Sequence, residues 1–169
     1  MLEPLAVRHA KLLYERLCNP QLYTYIPQDP PVSVEVLEER YSRLESRSSP
    51  DRSEIWLNWI IYDLEIDQYV GTVEASVWLN MSKADLAYMV FAEYWQNGYA
   101  TEACRLALGF LFERFQINEV ESLVDTRNEA SMRLLQTLGF IRVGTIKQAD
   151  FFKGSPSDEY RYKLTLGLT

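Results

Sequence analysis

The chain has 169 residues, 47% of them hydrophobic, enough to bury one core and consistent with a single domain spanning 1–169. Its formal net charge of -7, with Lys and Arg scattered rather than clustered, argues against a nucleic-acid partner, which needs a basic face. No apolar run approaches the ~18 residues of a membrane span, and the acidic start Met1-Leu2-Glu3-Pro4 lacks the regions of a signal peptide, so the expectation is a cytoplasmic protein without a membrane partner.

Leu2 to Leu5 reads as a short strand, and Arg8 to Cys18, with Leu12, Leu13 and Leu17 at helical spacing, reads as a helix stopped by Pro20. Leu22 to Val32 carries three prolines with Tyr23 and Tyr25 and reads as a loop. Ser33 is placed to cap a helix running to about Arg47. His9 is expected on a helix surface, and Cys18 and Cys104, without metal-like spacing, are expected to be reduced core residues; no metal is expected. Beyond the loop Ser48 to Arg52, three strands are expected, Ile55–Tyr62, Tyr69–Leu79 and Leu86–Phe91. Short polar turns join them as an antiparallel meander.

The run from Tyr94 to Ala103 is the most informative stretch. A glycine turn at Gly98 opens a helix over about 98–115 with Ala103, Leu106, Ala107, Phe110 and Leu111 at helical spacing. The first N–H groups of a helix lack intrahelical partners and sit at the positive end of its dipole, so they suit a phosphate. No Gly-Lys-Ser/Thr follows and no dinucleotide fingerprint is present. A strand Val120–Asp125 comes next, and a crossover of that length sets it parallel to a neighbour. A helix from about Asn128 to Leu138 is expected to end at a left-handed Gly139. Strands Phe140–Lys147 and Tyr160–Leu166 close the chain. The fold class is α/β, α+β in stricter usage: a mixed, mostly antiparallel central sheet with helices on both faces.

Tyr94-Trp95-Gln96-Asn97-Gly98-Tyr99-Ala100-Thr101-Glu102-Ala103 resembles the cofactor loop of the GNAT N-acetyltransferases, in the branch that includes the ribosomal-protein N-terminal alanine and serine acetyltransferases. Asn128-Glu129-Ala130-Ser131 followed by Leu138-Gly139-Phe140 resembles that family's second element, and Leu2-Glu3-Pro4-Leu5 and Ile26-Pro27 are similar to its opening. The resemblance implies a GNAT-like sheet whose splayed parallel strands form an acetyl-CoA cleft. It places the cosubstrate's arm along Met89, Val90 and Phe91, with a backbone N–H near Met89 to Val90 facing the oxyanion. The phosphates fall to Gln96, Asn97, Gly98, Tyr99, Ala100 and Thr101, with Asn128 also at the cofactor. Gln96 and Asn97 stand where the family commonly has Gly and a base, which makes the loop more crowded and less basic.

For the chemistry, the family's usual tyrosine acid falls at Leu135, which cannot donate a proton. Ser131 is the substitute the branch suggests, as a hydrogen-bond donor to sulfur or a relay. Asp150, in Ile146-Lys147-Gln148-Ala149-Asp150, is the candidate base, and Glu74, set between Val73 and Ala75, is its rival. Asp158 is expected to be structural. The resemblance implies acetyl transfer from acetyl-CoA to a primary amine in a ternary complex, the acceptor being a protein N-terminus or a small amine. An acyl-CoA-binding module with little catalysis is the alternative, and a homodimer stays open.

Overall fold

The computed structural model describes residues 1–165. A seven-stranded sheet has the order β1-β2-β3-β4-β5-β7-β6, formed by β1 (Leu2–Pro4), β2 (Ile55–Asp63), β3 (Gln68–Trp78), β4 (Lys83–Val90), β5 (Glu119–Asp125), β6 (Ile141–Phe152) and β7 (Ser155–Thr165). Every pairing is antiparallel except that of β4 with β5. Four helices, α1 (His9–Leu17), α2 (Val34–Glu45), α3 (Tyr99–Phe115) and α4 (Glu129–Thr137), cover the sheet on both sides. The expected mixed, mostly antiparallel class is the one found. Leu166 of the expected last strand lies outside the described residues.

Alternation along the strands makes two cores. Trp59, Ile61, Val73, Ala75, Val77, Ala84, Leu86, Val120 and Val124 face α3 and α4, meeting Ala103, Cys104, Ala107, Leu111 and Leu135. On the opposite face Ile60 and Phe91 join Leu5, Ala10, Leu13, Leu17, Leu37 and Tyr41 of α1 and α2. The Ser33 hydroxyl accepts from Val36 N–H at 3.3 Å and starts α2, as its sequence position predicts. Cys104 is buried, which pushes its thiol up to about 12, while Cys18, just past α1, is half-buried.

His9 does not lie on a helix surface. It is fully buried, its Nδ1 accepts from Ala6 N–H at 3.0 Å, and its Nε2 meets Glu3 Oε1 at 3.0 Å. The imidazole caps the turn into α1, a local role that apolar periodicity does not reveal.

The C-terminal hairpin is longer than its sequence pattern. β6 and β7 are joined by Lys153 (φ 50°) and Gly154 (φ 78°), the two left-handed positions of a tight hairpin turn. Register shifts between Arg142 and Gly144 and between Ile146 and Asp150 break the period-two signal in β6. Asp158 holds the second irregularity, accepting from Gln148 N–H at 2.8 Å and from Lys147 Nζ at 2.7 Å.

Candidate active site

The parallel ladder is short. It pairs Lys83 with Glu119, Ala84 with Val120 and Asp85 with Glu121, and then stops. Beyond it, Leu86 O accepts from the buried Ser122 hydroxyl at 2.9 Å, and no pairing joins 87–90 to 123–125. The strands therefore part into a gap that opens toward Val90 and Asp125. Backbone groups on β4 point alternately to its two neighbours. Ala84 and Leu86 address β5, so Tyr88 and Val90 present theirs to the gap; Met89 and Phe91 turn theirs to β3, where Phe91 N–H donates to Val70 O at 2.9 Å. Trp95 Nε1 donates to Val90 O at 2.7 Å, which leaves Val90 N–H and both Tyr88 groups on the open edge. Phe91 is fully buried in the α1/α2 core and Met89 packs against it.

Behind the gap edge, Gly71 lets β3 approach closely: a Cβ there would lie 2.3 Å from Met89 O and 2.9 Å from Val90 Cα. At the mouth, a single turn of 3-10 helix, Ala92–Tyr94, leads to Gln96 (φ 63°) and Gly98 (φ 81°). The first helical hydrogen bond of α3 is Glu102 N–H to Gly98 O at 3.1 Å, so the N–H groups of Tyr99, Ala100 and Thr101 lack helical acceptors. Beyond its chain neighbours, nothing lies within 4 Å of where a Gly98 Cβ would stand, so no other segment packs on the turn there. The Asn97 amide donates to Trp95 O at 3.0 Å and stiffens the turn. The Tyr99 side chain points away from it, its hydroxyl donating to Asp63 Oδ2 at 2.5 Å, and that bond holds the phenol protonated up to about 12. An anionic head at the amides and an extended amide arm in the gap fit this cradle.

Asn128 caps α4, its Oδ1 accepting from Ser131 N–H at 3.1 Å, which sets Ser131 in the first turn beside the gap. Tyr88 reaches across from β4 so that its hydroxyl stands 3.5 Å from Ser131 O. Leu135, fully buried, follows on the same helix face one turn later.

Opposite, on the α1/α2 face of the sheet, a concavity of ≈ 300 Å³ lies at the fork of β4 and β5, lined by Trp56, Asn58, Glu74, Asp85, Ala87 and Leu123 among others. Glu74 pairs in register with Asn58 and Ala87 and is exposed. The flanking Val73 and Ala75 turn to the other face, while Glu74 shares its hollow with Asn58, Asp85, Trp56, Ala87 and Leu123. Nothing in the sequence pattern singles out Asp85. Although part of it is open to solvent, desolvation of its carboxyl, followed by repulsion from Glu121 and Glu54, pushes it up to about 6, with Arg161 opposing. The sequence reading begins its strand at Leu86, three residues after Lys83 where β4 starts; extending the alternation of Ala84 and Leu86 against Asp85 and Ala87 finds it.

Asp150 stands elsewhere, on β6, three strands beyond β4, paired with Ser157 and accepting from Phe151 N–H at 2.8 Å. Its carboxylate neighbour is Glu159, which burial, then Asp150 and Asp125, pushes above the usual range. Asp125 is buried, and Arg127, then Ser157, overcome that burial to hold its carboxyl down at about 2. The structure thus brings Glu74 to the fork with Asp85, sets Ser131 beside the gap, and puts Asp150 on β6 with Glu159 and Asp125, toward the gap's open end.

A family model described as an acetyltransferase (GNAT) domain matches residues 1–141. The chain belongs to the GNAT acetyltransferases. Among relatives, "Uncharacterized N-acetyltransferase YoaA" of Bacillus subtilis is 25% identical over 133 residues, covering 78% of this chain and 75% of that protein. "Putative ribosomal N-acetyltransferase YdaF" of the same organism is 28% identical over 82 residues, covering 48% and 45%. Among solved structures, spermidine N-acetyltransferase from Vibrio cholerae in complex with CoA and spermine superposes with a TM-score of 0.83 at 20% identity, covering 98% of this chain and 94% of that one. The protein is an acetyl-CoA-dependent N-acetyltransferase of the GNAT family. Among the described residues no cluster of His, Cys, Asp and Glu is arranged to hold a metal.

Proposed function

We propose that this GNAT enzyme acetylates a cationic primary amine that enters through the concavity at the fork of β4 and β5. The observation that carries the reading is the pair Glu74 and Asp85 lining one hollow where the cleft closes, with Glu54 beside it and Glu121 held by Lys163 and Arg161. Carboxylates around a hollow raise the local concentration of an ammonium ion, and a group poised near neutrality can accept its proton. Asp85 is the proposed base, held protonatable by desolvation, and Glu74 the anchor for a second positive charge. Asp150, on the edge strand β6 with Glu159 and Asp125, is the second candidate. The α3 amides and Val90 N–H orient the donor, and the Tyr88 backbone at the gap edge supplies the N–H proposed to face the oxyanion.

A short polyamine fits this chemistry best, because two carboxylates in one ≈ 300 Å³ hollow match two ammonium groups on a flexible chain. The structural likeness to a spermidine acetyltransferase at 20% identity concerns the fold, and the charge of the hollow supports the substrate class. A protein N-terminus is the second reading, supported by the likeness to YdaF and by the branch resemblance of the Asn128 to Ser131 element. Thiol release from acetyl-CoA with spermidine, N-terminal Ala or Ser peptides, and an uncharged aromatic amine separates the readings. Faster turnover of the uncharged amine than of both cationic classes would overturn the proposal.

A further inference from the structure

Acetyl transfer leaves a thiolate, and the helix position from which many GNAT enzymes stabilise it holds Leu135, fully buried among Val120, Val124 and Tyr162 in the larger core. Some other group must meet the sulfur, or the thiolate must leave unaided. Ser131 is one candidate, but an aliphatic hydroxyl is a poor donor on this scale, and its backbone N–H is committed to Asn128.

A phenol that reaches α4 comes from β4, its ring packed against the larger core on the α3/α4 face of the sheet. Tyr88 lies on the strand whose edge forms the cleft, its own N–H and C=O facing the gap. Its side chain passes beneath α4 to put the hydroxyl 3.5 Å from Ser131 O. That contact is at the outer limit of a hydrogen bond, so the O–H is held in place but weakly engaged. Ser131 and Leu135 are four residues apart on one helix face, so the hydroxyl arrives one turn from the position of the missing acid. Burial pushes the Tyr88 phenol well above its usual range, with the Ser131 side-chain hydroxyl opposing, so it stays protonated and able to donate.

We infer that Tyr88 is a catalytic residue of this enzyme, its hydroxyl donating a hydrogen bond to the departing sulfur of CoA in place of the absent helix tyrosine. The assignment rests on acetyl transfer in the β4–β5 cleft. As the amine nitrogen bonds to the acetyl carbon, the C–S bond breaks and its electron pair goes to sulfur. Tyr88 O–H turns from Ser131 O to that sulfur and stabilises the thiolate without losing its proton. Asp85 takes the proton shed by the amine, and the thiolate takes its own from water. A phenol less acidic than a thiol, with an ordinary pKa of about 8.5 for the latter, suits this role better than full proton transfer.

The test is Tyr88→Phe, which keeps the ring and removes only the hydroxyl. Titration of the CoA thiol bound to the wild-type enzyme, followed by thiolate absorbance, is expected to give a pKa about one unit below that in the variant. Turnover should fall by about 10²-fold in the variant with KM for acetyl-CoA little changed. Desulfo-CoA, which lacks the sulfur, should bind both proteins equally, which also shows that the variant is folded. An unchanged thiol pKa, or equal loss of CoA and desulfo-CoA affinity, would overturn the role of Tyr88 while leaving the cleft assignment standing. Failure of the wild-type protein to bind CoA at all would overturn both.

Discussion

Gly71→Ala strikes the cleft from behind, pressing on the Met89 and Val90 backbone without removing any group proposed to meet substrate. The added Cβ would fall 2.3 Å from Met89 O, 2.9 Å from Val90 Cα and 3.2 Å from Met89 C. These are backbone atoms of a paired strand, so no side chain can swing aside; a relaxed contact of roughly 3.3 Å requires β3 and β4 to separate by about 1 Å. Overpacking of this kind costs about 1–3 kcal/mol, which for a chain of this size lowers the melting temperature by roughly 2–12 °C. Displacing the β4 edge by about 1 Å moves Tyr88 and Val90 relative to the arm they hold, and a misplacement of that size costs about 10²-fold in rate. Thermal melting, CoA titration and kcat/KM with a good amine acceptor measure the three effects. A variant that melts as the wild type and keeps its kcat/KM would refute the claim that the β4 backbone positions the thioester.

Gly98→Ala meets no atom within 4 Å but forces alanine to φ 81°; it should cost about 1 kcal/mol and weaken CoA by about tenfold in calorimetry, with kcat less affected. Ser122→Ala leaves Leu86 O without its hydroxyl partner where the strands part, so melting should report a loss of about 1–3 kcal/mol. Because the Asp85 carboxyl is raised to about 6, the rate should climb as pH rises through 6. Asp85→Asn should lower the rate by at least about 10²-fold and abolish that limb. Asp85 should also act on stability. Its folded pKa exceeds the ordinary value of 3.8, so its contribution is fully present below that value and is lost as pH rises through about 6, a slope that melting of Asp85→Asn should lack.

Much of this was legible because local rules and the global fold agree. The glycine turn before α3, the Ser33 cap and the left-handed Gly139 each satisfy a backbone requirement that few residues meet, and each stands where its chemistry predicts. The hairpin around Lys153 and Gly154 was under-read because the irregularities in β6 spoil the alternation on which strand recognition depends. His9 was misplaced because its burial rests on bonds to Ala6 and Glu3, local polar contacts that periodicity does not register. Asp150 is close in sequence to a familiar motif, but sheet order carries it three strands from β4. Asp85 and Glu74 meet only through the pairing of β3 with β4, in which Ser76 faces Asp85 and Glu74 faces Ala87. Sequence spacing alone did not bring those two carboxylates together, whereas Gly98 and the helix it opens needed no partner strand.

The most direct measurement is thiol release from acetyl-CoA by the purified protein with spermidine as acceptor, at pH 8 and again below pH 6. The expected result is saturable turnover that falls at the lower pH and falls again in Glu74→Gln and Asp85→Asn, with CoA affinity retained in both variants. Tight CoA binding with no thiol release from spermidine or from N-terminal peptides would contradict acetyl transfer to a cationic amine through this cleft.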